Sequence, residues 1–163
     1  MSRLGVGIGN RSRGQSLVEF ALILPLIVLM IMGILDFGRG IFAYNTLAES
    51  ARQANRLAIV DQDVANVQAV AIAHAPAVGL TTSDVDVCFK DAQAPPLNRT
   101  CANSASACNP IAMGCLAIVQ TRTSFVPITP VISNLGFFPL DLRSTSVGPI
   151  EYVCPTSTRT TCP

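Results

Sequence analysis

The chain is short of charge. Only 13% of its 163 residues are charged and half are hydrophobic, whereas typical soluble domains carry roughly 25% charged residues. Part of the chain is therefore expected to lie in lipid or against a partner. The eleven basic residues are spread out, with no Lys/Arg-rich run, and the formal net charge is +1. Nucleic acid is set aside as a partner, because a basic patch is missing.

The sequence is equally short of the side chains that catalysis and metal binding need. His74 is the only histidine, so a Ser/His/Asp set cannot form, and no pair of carboxylates is placed for acid–base chemistry. No CxxC occurs, and Cys101, Cys108 and Cys115 are seven residues apart, not the two to four that zinc sites favour. We therefore expect no enzyme activity, no metal and no cofactor.

What the sequence does have is one long apolar run, "LVEFALILPLIVLMIMGIL", at 17–35. As a helix it would span about 28 Å, enough to cross a bilayer. Arg3, Arg11 and Arg13 precede it, and residues 1–14 contain no acid. Positive flanks stay in the cytoplasm, which predicts a single-pass membrane protein with its N-terminus inside and its C-terminal domain exported.

Three interpretations of this run compete. A secretory signal should have a shorter apolar stretch, about 7–15 residues, and a small-x-small cleavage site, whereas "DFGRGIF" follows here. A plain membrane anchor explains the length and orientation but gives Glu19 no role. In the third interpretation the chain is cut between Gly14 and Gln15, so that Glu19 becomes the fifth residue of the mature protein. One helical turn then separates a new amine from a carboxylate.

The third arrangement resembles the prepilin processing signature of type IV pili: a short basic leader, Gly at the cut, Glu five residues in, and an apolar helix. More specifically, residues 13–52 resemble the opening of the TadE-like family, the minor pilins or pseudopilins of tight-adherence pilus systems. The matching positions are Gly14, Gln15, Ser16, Glu19, Phe20, Pro25, "DFGR" at 36–39, Asn45, Ala51 and Arg52.

This resemblance implies a prepilin-like structural subunit with no enzyme activity. Prepilin peptidase would cut after Gly14, and the N-terminal helix would assemble with other pilin-like subunits or pilus assembly proteins, in the membrane or in a cell-surface pilus. Glu19 would then pair with the free amine of a neighbouring processed subunit. Pro25 either kinks the helix, locally unwinds it or is a plain membrane-helix proline. The alternative function is an unprocessed single-pass anchor presenting a disulfide-stapled, extracytoplasmic binding domain.

Beyond the run, the hydrophobic period predicts an α+β, pilin-like fold. After a leader at 1–14, a membrane-spanning helix continues into an amphipathic helix, together 15–60, with Phe37, Ile41, Tyr44, Ala48 and Ala51 on the face that packs under a sheet. A second helix at 61–76 begins at Asp61 or Asp63 and stops at Pro76. Alternating segments at 83–90, 115–126 and 138–147 predict a small antiparallel sheet in the exported part, 77–163, with 150–153 as an optional fourth strand.

The cysteines all lie on the predicted outer side, where an oxidising environment allows disulfides. Six cysteines permit fifteen complete pairings. We expect Cys154 and Cys162 to pin the tail and at least one bridge to close the loop at 91–115, a stretch outside the resemblance that is rich in Cys, Asn, Ser and Pro and is a candidate partner site. The six are Cys88, Cys101, Cys108, Cys115, Cys154 and Cys162.

Overall fold

A computed structural model describes residues 12–93, 100–101, 107–129 and 139–153. A long N-terminal apolar helix is followed by a short helix and a small antiparallel sheet, which confirms the predicted α+β fold. The elements in chain order are α1 (Ser12–Ala58), α2 (Val64–Ala73), a 3-10 turn (Thr82–Asp84), β1 (Val85–Asp91), β2 (Cys115–Phe125) and β3 (Leu140–Pro149).

Helix α1 consists of 47 residues and continues without interruption through Pro25. It corresponds to the single helix predicted over 15–60 and is about 70 Å long at 1.5 Å per residue. The described side chains before Asp36 are exposed, apart from the half-buried Gly33, and burial begins at Asp36. The same helix therefore has two halves with different surroundings.

Helix α2 is shorter than the predicted 61–76 segment. Asp63 is its N-cap, and its carboxylate accepts from the Ala65 N–H at 3.0 Å. Asp61, the other predicted cap, instead accepts from the Asp63 N–H at 2.9 Å and so holds the turn that precedes the helix. The helix ends at Ala73 with His74 as C-cap, before Pro76 is reached.

The sheet has three antiparallel strands in the order β1-β2-β3. The optional fourth strand at 150–153 is not formed. The N–H groups of Glu151 and Tyr152 both donate to the Ile59 carbonyl, at 3.1 and 3.3 Å, because the end of α1 leaves that carbonyl without a helical partner. This segment is thus held against the helix and adds no strand to the sheet.

The core lies between α1, α2 and the sheet, and small side chains of α1 let the layers approach closely. The predicted buried stripe is only partly correct: Ala51 is fully buried, but Phe37, Ile41 and Tyr44 are 71%, 46% and 49% exposed. The fully buried apolar residues that do form the core on α1, α2 and β2 are Leu47, Ala51, Ala54, Ala58, Val67, Ala71, Ala117, Ile118 and Val119.

Two buried hydroxyls tie α1 to its neighbours. The Ser50 hydroxyl donates to the Ala71 carbonyl of α2 at 2.7 Å. The Thr121 hydroxyl of β2 donates to the Leu47 carbonyl of α1 at 3.1 Å. Both side chains are fully buried, so each bond satisfies a polar group that would otherwise lose its contact with water.

Asn55 ties α1 to two strands at once. Oriented so that both of its ends are satisfied, its amide donates to the Ala117 carbonyl at 3.0 Å and accepts from the Gly148 N–H at 3.1 Å. The absence of a side chain at Gly148 makes room for this contact, since a Cβ there would lie 2.8 Å from the Asn55 amide.

Two disulfides brace the region before β2. Cys88 of β1 is bonded to Cys101, with their Cα atoms 5.6 Å apart. Cys108 is bonded to Cys115 at the start of β2, with a Cα separation of 6.2 Å, and this bridge lies within the 91–115 loop. The other expected pair, Cys154 with Cys162, lies outside the described residues and stays a prediction.

Candidate functional site at the apolar helix and its junction with the sheet

No described residue of the chain covers the first half of α1. Fifteen large apolar side chains between Leu17 and Leu35 are 42–75% exposed. The most apolar 18-residue window of the helix has a mean hydropathy of 2.7, and none of it is buried. Helix α1 is long and apolar enough to cross a membrane, and an apolar surface of this extent needs lipid or protein around it. These features fit a single-pass membrane protein.

The residues of the predicted processing signature all lie on this uncovered half. Gly14, Gln15, Glu19 and Phe20 are helical and exposed, and a Cβ at Gly14 would meet no atom within 4 Å. No described basic side chain forms a salt bridge with Glu19. Helix α1 continues through Pro25, and a kink there stays a prediction.

Asp36, directly after the apolar run, fastens the helix to the segment that follows β2. The residue is 6% exposed, and its two carboxylate oxygens accept from the Ile128 N–H at 3.0 Å and the Thr129 N–H at 2.9 Å. The Nη1 atom of Arg39 lies 3.6 Å from one of these oxygens, Oδ1. The carboxylate thereby joins two parts of the chain more than ninety residues apart.

These contacts lower the pKa of the Asp36 carboxyl, which lies beyond the 17–35 run. The Thr129 side chain contributes most, although its hydroxyl lies outside ordinary hydrogen-bond geometry, followed by the Ile128 and Thr129 N–H groups. Burial opposes this lowering, and the Arg39 charge adds to it. In the sequence, Asp36 belongs to the "DFGR" match, which predicts no role for it. The sequence feature that could have indicated its importance is its position as a lone acid directly after an apolar run.

Arg39 and Gly40 hold the aromatic ring at the end of β2. The Arg39 guanidinium lies 5.7 Å from the centre of the Phe125 ring, within the range of a cation–π contact. A Cβ at Gly40 would lie 3.7 Å from two atoms of the same ring, so the ring packs closely against the helix backbone. Phe125 is thus fixed from two sides.

Next to this contact lies an apolar groove of about 430 Å³ between α1 and the ends of β2 and β3. We call it the junction groove. Three of its lining residues are Phe37, Ile41 and Tyr44, which the helical period predicts to pack under the sheet. They are exposed because they face this groove. The other lining residues are Gly33, Asp36, Gly40, Phe125, Pro127, Leu140 and Leu142.

The described residues contain no group of three or more His, Cys, Asp or Glu side chains that could hold a metal ion. The junction groove has one ionisable carboxylate, Asp36, and this is engaged by backbone N–H groups. The structure brings together two apolar surfaces, namely the uncovered half of α1 and the junction groove beside it.

The comparisons with known proteins agree with this picture over α1. Neither the curated proteins nor the solved structures contain a match to the chain. A family model described as TadE-like protein matches residues 14–56. The matched range begins at Gly14, includes the apolar run and Asp36, and ends before the sheet. The resemblance to the TadE-like family is therefore confirmed over α1, and it suggests a Tad pilus-associated, pilin-like protein.

Proposed function

We propose that the protein is a prepilin-like structural subunit, a minor pilin or pseudopilin, which is processed after Gly14 and assembles through α1 into a tight-adherence pilus or its assembly machinery. The observation that carries this proposal is the family match that begins at Gly14, on a helix whose apolar half is not covered by any residue that the structure describes. Prepilin peptidase and other pilin-like subunits are the proposed partners.

The proposed orientation places the sheet outside the cytoplasm. Arg3, Arg11 and Arg13 precede the apolar run without an accompanying acid, and such flanks remain inside. The disulfides Cys88–Cys101 and Cys108–Cys115 lie on the opposite side of the run, where an oxidising compartment would preserve them.

Glu19 has a specific task in this proposal. After cleavage the amine of Gln15 lies one helical turn from Glu19, and an α-amino group has an ordinary pKa near 8, so it is largely charged at neutral pH. An unpaired carboxylate among packed apolar helices is unfavourable. Glu19 is exposed in the single chain, so it is accessible to the amine of a neighbouring subunit. The pair would fix the register of adjacent helices.

The first experiment identifies the N-terminus. Protein taken from membranes and from sheared surface material is examined by N-terminal sequencing and intact-mass spectrometry, and both fractions should begin at Gln15. Gly14→Val should retain the leader, whereas Gly38→Val, at an exposed glycine of the same helix where a Cβ meets no atom within 4 Å, should be cut normally. Sheared material that still begins at Met1 or Ser2 would favour the alternative, a permanent anchor that presents a binding domain.

The second experiment tests the pairing of Glu19. Removing one partner of a buried ion pair costs about 3–5 kcal/mol, so Glu19→Ala should be strongly depleted from sheared filaments while its amount in the membrane is unchanged. Glu49→Gln is the control, because Glu49 is an exposed acid on α1 that interacts with Arg52 and Gln53 of the same helix. Equal incorporation of Glu19→Ala and the wild type would refute the pairing.

A further inference from the structure

We call the described part of the chain after Leu35 the sheet domain, and its exposed apolar side chains are concentrated at the end next to the apolar run. Among the residues that the structure describes after Leu35, ten large apolar ones are exposed, and seven of them lie at this end. Four follow the run on α1, namely Phe37, Ile41, Phe42 and Tyr44, and three lie at the adjoining strand ends, Val126, Ile128 and Leu140. We call these seven residues the junction patch. The other three, Val64, Met113 and Tyr152, are scattered.

The junction groove is continuous with the apolar run. Gly33, inside the run, lines the groove, and so does Tyr44. These two positions are separated by about 16 Å along the helix axis. If the run spans the bilayer, the groove opens at one end into the hydrocarbon and extends through the level of the lipid headgroups. Water in an apolar groove of this size would be unfavourable.

The charged groups beside the groove do not oppose contact with lipid. The carboxylate of Asp36 is compensated by the Ile128 and Thr129 N–H groups and by the nearby Arg39. The Arg39 side chain is 51% exposed while its guanidinium lies over Phe125. An arginine in this position can keep its stem on apolar surface and present its charge to a phosphate.

We propose that the junction groove and the junction patch form a lipid-docking surface, which seats the sheet domain on the bilayer where α1 leaves it. Acyl chains fill the groove from the Gly33 end, and Arg39 and Tyr44 lie at the headgroup level, where basic and amphipathic aromatic side chains are favoured. The continuity of the groove with the run favours lipid over a second copy, because lipid already surrounds the opening. The inference requires α1 to span the bilayer, but it does not depend on cleavage after Gly14.

The absence of tryptophan from the chain allows a direct test with single reporters. Full-length Leu140→Trp, Phe37→Trp and Tyr152→Trp are each reconstituted into phosphatidylcholine vesicles, with and without lipid brominated near the headgroup end of the acyl chain. Phe37→Trp is the positive control next to the run, and Tyr152→Trp reports the far end of the domain. Trp fluorescence of Leu140→Trp should be quenched by brominated lipid to the same extent as that of Phe37→Trp, and at least twofold more than that of Tyr152→Trp.

A second reporter keeps the test decisive if Leu140→Trp does not fold by circular dichroism. Val126→Trp, at a 55% exposed position of the patch, should give the same strong quenching. Quenching of the folded reporters no stronger than that of Tyr152→Trp would overturn the proposal. Blue-shifted emission without quenching would also overturn it, by showing that protein covers the groove. Dependence on the protein-to-lipid ratio would then identify a second copy, and independence would identify the same chain.

Discussion

Gly148→Ala should destabilise the domain, although a glycine in a strand is ordinarily a weak point that alanine improves. A Cβ at Gly148 would lie 2.8 Å from the Asn55 amide and 3.1 Å from Cγ2 of Ile59. Both neighbours belong to the last turns of α1 and the turn that follows it. The Asn55 amide would have to leave the position from which it bridges the Ala117 carbonyl and the Gly148 N–H.

The magnitudes decide the sign of the effect. Replacing glycine by alanine at a compatible position stabilises by about 0.4–1 kcal/mol, because the unfolded chain loses freedom. Overpacking costs about 1–3 kcal/mol, and the loss of one Asn55 hydrogen bond adds about 0.5–1.5 kcal/mol. The expected net result for Gly148→Ala is a loss of roughly 0.5–4 kcal/mol in the free energy of unfolding.

The assay measures how proteolytic cleavage after α1 depends on denaturant concentration in the full-length protein in detergent. It gives an unfolding midpoint and a slope. Gly38→Ala is the matched control, because a Cβ at Gly38 meets no atom within 4 Å, and it should not lower stability. In an Asn55→Ala background the cost of Gly148→Ala should fall by about 1 kcal/mol or more, since neighbouring residues do not act additively. If Gly148→Ala costs the same in both backgrounds, the contact with Asn55 is not the cause and the reasoning is wrong.

Three further predictions concern the Ser50 hydroxyl, the Cys88–Cys101 disulfide and the Asp36 carboxylate. Ser50→Ala should cost about 1–3 kcal/mol by leaving a buried α2 carbonyl unpaired, whereas Thr46→Ala, which removes an exposed bond, should cost much less in the same proteolysis assay. Replacing Cys88 and Cys101 together by serine should cost about 3 kcal/mol in thermal unfolding under non-reducing conditions. Because the folded-state pKa of Asp36 lies below its ordinary value of 3.8, its charge stabilises the fold above pH 3.8, and this contribution is lost as the pH falls through the folded-state pKa. Asp36→Asn should therefore show a weaker acid-induced loss of stability than the wild type when unfolding is followed by circular dichroism.

Local patterns sufficed for much of the fold. The apolar run predicts the uncovered helix, the alternation of polar and apolar residues predicts the three strands, and Asp63 is one of the two N-caps that the sequence predicts for α2. These features depend on neighbours within a few residues. The family resemblance was likewise carried by one continuous segment, and the matched range of 14–56 lies entirely within α1.

Contacts between distant parts of the chain could not be predicted from such local patterns. The helical period alone assigned Phe37, Ile41 and Tyr44 to a buried face, but the sheet covers α1 chiefly from Leu47 onward, so those side chains line a groove instead. The role of Asp36 depends on the backbone at Ile128, 92 residues away. No local period could indicate which carbonyls and N–H groups would lie next to the helix.

The position of these contacts along α1 gives the proposed Glu19 pairing a wider consequence. Helix α1 is continuous from the processing region to Ala58, and polar contacts fasten it to the rest of the domain at Asp36, Leu47, Ser50 and Asn55. A slip of one residue in helix register would therefore move the attached domain by about 1.5 Å along the axis and turn it by about 100°. If Glu19 sets the register between neighbouring subunits, the same charge pair also sets the height and the facing direction of every sheet domain on the filament surface.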